Sequence, residues 1–203
     1  MRVRFVIAAV AALCLFPTVV SADIEIHEKH RFDARPGATV VIDVSFHSVE
    51  VTAQQGSGVD VTVDLTVRGD GSSAKNIAND LSPVFKEEGD KLIIRSRKEK
   101  GWSWKSVKAK GKVTVQMPPG MHLTINSSSG SARVNGDFGD ARVVFDASSG
   151  SLTVDGAMRE LHSDLSSGSV RATVSRPLEV FTSESVSYTH LRAHETRSVI
   201  SYA

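Results

Sequence analysis

The chain has 203 residues, 40% of them hydrophobic and 23% charged, with aromatics at only 6%. That composition excludes disordered and collagen-like chains and leaves a core built mainly from Val, Ile, Leu and Ala. With 24 basic and 23 acidic side chains, overall charge argues against a nucleic-acid partner.

The first element is a targeting segment. Arg2 and Arg4 precede the apolar stretch Val6 to Phe16, and Val20-Ser21-Ala22 forms a small-residue site before Asp23. This is the pattern of a cleaved secretory signal peptide over residues 1–22, so the expected destination is periplasmic, cell-surface or extracellular. No membrane span is expected after cleavage, the apolar stretch being too short. The single cysteine, Cys14, lies inside this segment behind Leu13. The exported chain therefore cannot rest on disulfides.

Residues 23–185 read as one β-strand-repeat domain. Phe32 to Gly37 is an entry segment with Arg35-Pro36-Gly37 as a turn. Val40, Ile42, Val44 and Phe46 recur at every second position and share one face, and Val49 and Val51 resume the pattern after Ser48. After a turn over Gln54 to Gly58, Val59, Val61, Val63, Leu65 and Val67 alternate with Asp60, Thr62, Asp64 and Thr66. A period of two places one set on each face of a strand. Ile77, Ala78 and Leu81 fall at helical spacing, so the pattern predicts one short helical insertion near 74–85, capped by Ser72 or Ser73 and ended or kinked by Pro83. Strands return at Leu92 to Ile94 and at Lys112 to Met117.

Residues 121–185 form an internal repeat. Ser127-Ser128-Ser129-Gly130-Ser131, Ala147-Ser148-Ser149-Gly150-Ser151 and Leu165-Ser166-Ser167-Gly168-Ser169 align. Leu123, Val143 and Leu161 precede the three glycines at one spacing, and Ala132, Leu152 and Val170 follow them at another. A period near twenty residues, with short strands between glycine turns, predicts an all-β fold: a β-solenoid or β-helix-like stack in which each coil needs its neighbours to bury its apolar face. Gly130, Gly150 and Gly168 are then structural turn residues. Taking Val180 as the next residue in phase puts a further Ser-Ser-Gly turn at 185–187, where Ser185-Val186-Ser187 stands instead. The tail differs in kind. Val186 to Thr196 can be back-translated to the transposase adapter of a short-read sequencing library, so residues 186–203 are expected to be non-native. Without the signal and this tail, residues 23–185 carry 20 basic and 22 acidic side chains, a net charge of −2.

The Ser-Ser-Gly turns, with the β segment Phe32 to Val51 and the stretch Lys112 to Gly120, resemble the bacterial putative-adhesin family, a β-strand-repeat domain of unknown function. The resemblance covers about residues 30–185 and implies a solenoid-like fold at the envelope or surface. It brings no catalytic residues.

Arg97, Lys98, Lys100, Lys105 and Lys108 surround Trp102 and Trp104. Cations interleaved with aromatics suit contact with an anionic envelope polymer or glycan. The bland alternative is a solvated hairpin between strands Leu92–Arg97 and Val107–Met117. His27 and His30, with Glu25 or Glu28, could form a metal pair, but a zinc site needs three or four rigid ligands, and no metal or other cofactor is expected. No nucleophile elbow or phosphate loop occurs. Asp137, Asp140, Asp146, Asp155 and Asp164 read as turn residues near coil corners. The functional expectation is a non-enzymatic, adhesin-like surface protein. The alternatives are a polysaccharide-active β-helix enzyme using Asp137, Asp155 and Asp164, or a purely structural scaffold.

Overall fold

The computed structural model describes residues 22–69, 71–96, 108–185 and 189–193. In chain order the elements are β1 (Ala22–Asp33), β2 (Thr39–Val44), β3 (Ser48–Ala53), β4 (Gly58–Gly69), α1 (Gly71–Leu81), β5 (Pro83–Glu88), β6 (Lys91–Ser96), β7 (Lys108–Met117), β8 (His122–Asp137), β9 (Arg142–Ala157), β10 (Glu160–Leu165), β11 (Gly168–Val174), β12 (Val180–Ser185) and β13 (Thr189–Ala193). The described chain is nearly all β, with one short helix, and its thirteen strands belong to one curled sheet.

The strands stand in two columns. The first runs β5, β6, β2, the first half of β8, the first half of β9, β10 and β12. The second runs β1, β4, β7, β3, the second halves of β8 and β9, β11 and β13. A first-column strand and the second-column strand that follows it in sequence make one rung. The rungs lie in the order β6 with β7, β2 with β3, β8, β9, β10 with β11, and β12 with β13. Pairing between rungs is parallel. Only β5 on β6, β1 on β4 and β4 on β7 are antiparallel.

Alternation decides what each column buries. Leu92, Val40, Leu123, Val143, Leu161 and Phe181 occupy one register position of the first column and are all buried. Val113, Val49, Ala132, Leu152 and Val170 do the same in the second. Both inner faces pack into one core. Phe138, Phe145, Met117 and Met158 fill its width, each fully buried. Burying side chains of this size stabilises by about 1.5–3 kcal/mol apiece.

The glycines at the serine corners keep the rungs close. Gly150 and Gly168 have φ of 145° and 143°, and a Cβ on either would lie 1.9 or 1.8 Å from the carbonyl oxygen of the preceding rung's glycine. No side chain fits there. Ser151 Oγ donates to Ser131 Oγ at 3.0 Å across the same corner.

One end is capped differently. α1 sets Ala74, Ala78 and Leu81 on Leu65 and Val67 of β4, with Ile24 and Ile26 of β1 beside them. His30 and Phe32 of β1 meet Phe85 of β5 at ring-centroid distances of 4.1 and 5.7 Å, joining the end strands of the two columns. Between cap and repeat sits His47, fully buried, with neither ring nitrogen hydrogen-bonded. Its ring fills the space beside Gly111 of β7, where an added Cβ would come within 2.2 Å of it. Burial lowers its pKa from 6.5 to about 4, so the imidazole is neutral at ordinary pH.

Five expectations need correction. The helix runs 71–81 rather than 74–85, and Pro83 opens β5 instead of kinking a helix. Proline at the first position of an edge strand loses no ladder bond. Residues 22–33, where the alternation predicts no strand ahead of the Phe32 to Gly37 entry, form a twelve-residue strand along β4, because Ile24, Ile26 and Phe32 find the cap to pack on. The strands β6 and β7 do not form a hairpin; they stand in different columns of one rung. Phe181, not Val180, is in phase with Leu161 and buried, while Val180 pairs with Glu160 and is exposed. β2, β3, β6 and β7, which fall in the N-terminal β portion ahead of the repeat coils within the one domain, are rungs of the same stack.

Candidate functional site

The interior is filled by side chains, so any site must lie on the outward faces of the columns. Parallel in-register pairing turns each outward position into a lane along the stack, with rungs about 4.8 Å apart. On the first column, one lane reads Lys91, Thr39, His122, Arg142 and Glu160. The next reads Ile93, Val41, Thr124, Val144 and His162, all half-buried. The third reads Arg95, Asp43, Asn126, Asp146 and Asp164. The face therefore carries Lys91 and Arg142 along one margin with Glu160 at its end, mostly β-branched residues along the middle, and along the other margin the Arg95–Asp43 pair followed by Asp146 and Asp164.

A groove of about 630 Å³ lies over the first two lanes, lined by Lys91, His122, Arg142, Arg159 and Glu160 above Val41 and Val144. His122 Nδ1 accepts a hydrogen bond from the Arg142 amide at 3.0 Å, which fixes the ring and leaves Nε2 as the protonated nitrogen of the neutral form. Arg159 donates to Glu160 Oε1 at 3.1 Å through Nε, with Nη2 2.9 Å away. Arg142 Nε stands 3.7 Å from the other carboxylate oxygen. Partial burial pushes the Glu160 pKa upward, but the adjoining His162, the charge and hydrogen bond of Arg159 and the charge of Arg142 outweigh it and hold it below the usual carboxylate range. His162 places Nδ1 2.6 Å from Thr182 Oγ1 and Nε2 3.5 Å from Glu160. That order resembles a proton relay, but neither His162 nor Thr182 lines the groove, so their role is to pin Glu160 across the rungs.

The second column presents a smaller groove of about 310 Å³, where Lys112 Nζ meets Glu50 at 2.7 Å beside Arg133, Ser131 and Ser151. Its carboxylate and ammonium are paired with each other. The Lys112 hydrogen bond and charge lower the Glu50 pKa.

Of the residues singled out in the sequence, Arg97, Lys98, Lys100, Trp102, Trp104 and Lys105 lie outside the described residues. Lys108 opens β7, is exposed, and pairs in register with Arg68. His27 and His30 point to opposite faces of β1: His27 reaches Asp64 at 2.6 Å, whereas His30 stacks in the cap. Among the described residues no group of three or more metal-ligating side chains converges. Asp155 and Asp164 stand on the outward faces of different columns, and Asp137 accepts from the Gly139 amide at 2.8 Å. The three acids do not share a groove. The residues that sequence reasoning passed over are Lys91, His122, Arg142, Arg159 and Glu160. A signal was present for three of them: His122, Arg142 and Glu160 each stand one position before the in-phase residues Leu123, Val143 and Leu161.

The family model described as Toastrack DUF4097 matches residues 40–190, a span that takes in all six rungs. The chain belongs to the Toastrack DUF4097 family. No curated protein matches this member. Among solved structures, it is similar to a putative cell adhesion protein of Clostridium sporogenes, at 11% identity over 75% of this chain and 73% of that one, with a TM-score of 0.42. It is also similar to a putative lipid binding protein of Parabacteroides distasonis, at 9% identity over 84% and 95% of the two chains, TM-score 0.26. A putative adhesin of the same organism matches at 10% identity over 83% and 94%, TM-score 0.27. No helix among the described residues of this Toastrack chain is long and apolar enough to cross a membrane.

Proposed function

We propose that this Toastrack chain is an exported, non-enzymatic β-solenoid of the cell envelope or surface, acting as an adhesin-like contact module for envelope or surface polymers. The observation that carries the reading is the register. Rungs stacked in parallel repeat the same outward position along the molecule, and that makes linear lanes suited to an extended partner. The filled interior and the placement of Asp155 and Asp164 on different faces support binding over polysaccharide cleavage. The signal-like N-terminus supports export.

A first contact surface is the segment joining β6 to β7, with Arg97, Lys98, Lys100, Lys105, Lys108, Trp102 and Trp104. The test is retention of the protein on envelope preparations at low salt. Replacing Lys98, Lys100, Lys105 and Lys108 by Gln is expected to lower retention several-fold, with the effect fading at high salt. Unchanged retention removes this surface. Absence of any retention by the parent chain leaves the scaffold reading in place of the binding one.

A further inference from the structure

We infer that the first-column groove is a binding site for an acidic, carboxylate-bearing polysaccharide laid along the stack axis across Lys91, His122, Arg142 and Arg159. This rests on the reading above that the chain binds surface polymers, and names the site and the chemistry.

Three observations carry it. First, the cations are collinear. Lys91 and Arg142 share one outward lane three rungs apart, a separation of about 14 Å, and Arg159 lies beside the next rung. Monosaccharide units of an extended chain follow one another at roughly this rung spacing, so carboxylates on such a chain meet the cationic lane repeatedly. Arg142 keeps about half of its side chain exposed and is ion-paired with Glu160 at 3.7 Å, beyond hydrogen-bond distance, so an incoming carboxylate competes with Glu160 for its guanidinium fork.

Second, the floor and the walls suit a sugar. Val41 and Val144 give an apolar strip for the C–H face of a pyranose, while Thr39, Thr124 and His122 offer hydroxyl and imidazole groups to sugar hydroxyls. Third, the lane about 13 Å from the cationic one begins with the paired Arg95 and Asp43 and continues through Asn126 to the acids Asp146 and Asp164. It repels a broad polyanion such as a nucleic-acid duplex and confines a single acidic strand to the opposite margin.

A second copy of this chain is the competing occupant of the face, since its margins carry charges of opposite sign. Area decides against that. The seven strands of the first column by three lanes cover roughly 450 Å², under the ~800 Å² per partner of a stable interface.

The test is calorimetric titration of the protein with oligogalacturonate, and in parallel with maltooligosaccharide of equal length and with inorganic polyphosphate. Oligogalacturonate is expected to bind, to weaken as salt rises, and to exceed both others. Lys91→Gln and Arg142→Gln are each expected to weaken it about five-fold, with Arg133→Gln on the other column without effect. Glu160→Gln is expected to tighten it, because it removes the carboxylate that competes for Arg142 and Arg159. That opposite sign keeps the proposal testable should an arginine variant fold poorly. The assignment is overturned if the Lys91 and Arg142 variants bind like the parent, if Glu160→Gln weakens binding, or if maltooligosaccharide or polyphosphate binds as tightly. A shift from dimer to monomer in the Arg142 variant, with saccharide binding unchanged, would make the face a self-association surface instead. Retention of the parent on envelope preparations without any groove-variant effect sinks this inference alone; loss of all retention sinks the reading beneath it.

Discussion

The cap and the repeat solve the same problem in different ways. In the rungs from β8 to β11, each strand rests on a near copy of itself, and the stacked Gly130, Gly150 and Gly168 let the backbones approach too closely for any other residue. In the cap, β1, β4 and β5 run antiparallel, α1 covers β4, and His30, Phe32 and Phe85 close the end of the core with aromatic rings. The repeat buries its surface by periodicity; the cap ends it with unlike elements, as terminal units of stacked folds do. Tolerance to substitution should therefore differ between the two regions.

The largest expected effect is at a repeat glycine. Gly150→Ala sets a Cβ against the Gly130 carbonyl at a φ of 145°, and should cost roughly 3 kcal/mol or more in chemical denaturation. Gly89→Ala, in the cap hairpin at a φ of 61° with open space around it, should cost only about 1 kcal/mol. Equal losses would erase the distinction between the regions.

The seam comes next. The folded His47 has its pKa depressed to about 4, while the unfolded residue titrates near 6.5. Between those values the unfolded state binds more protons, so stability is full above pH 6.5 and falls as pH drops toward 4. The loss should total roughly 3 kcal/mol, and His47→Leu should flatten that part of the profile. A parent profile that stays level from pH 7 to 4 would contradict the buried, unpartnered ring. The aromatic closure comes after it: Phe85 is only half-buried, so Phe85→Ala should cost about 1–2 kcal/mol in thermal unfolding, less than a fully buried Phe such as Phe145.

Much of the architecture could be read along the chain. The two-residue alternation from Val40 to Val51 and from Val59 to Val67, and the twenty-residue spacing of Leu123 and Val143, are patterns that show in the order of the residues alone. The groove was less legible. His122, Arg142 and Glu160 hold equivalent repeat positions, but Lys91 joins them only because β6 lies beside β2 and β2 beside β8. No spacing between residues 91 and 122 announces that neighbourhood.

By itself, then, the sequence determined which side chains turn inward, where the glycine corners fall, and that the unit is one rung. Those follow from pleat geometry and steric limits at single residues, both short-range. Only the tertiary structure decided the order of the rungs. It inserts the rung of β2 and β3 between that of β6 and β7 and that of β8, lays β1 along β4 and folds the cap over them. Which strand edge meets which is a long-range choice among similar apolar strands, settled by how all of them share one core, and it is that choice that lines Lys91 up with His122 and Arg142.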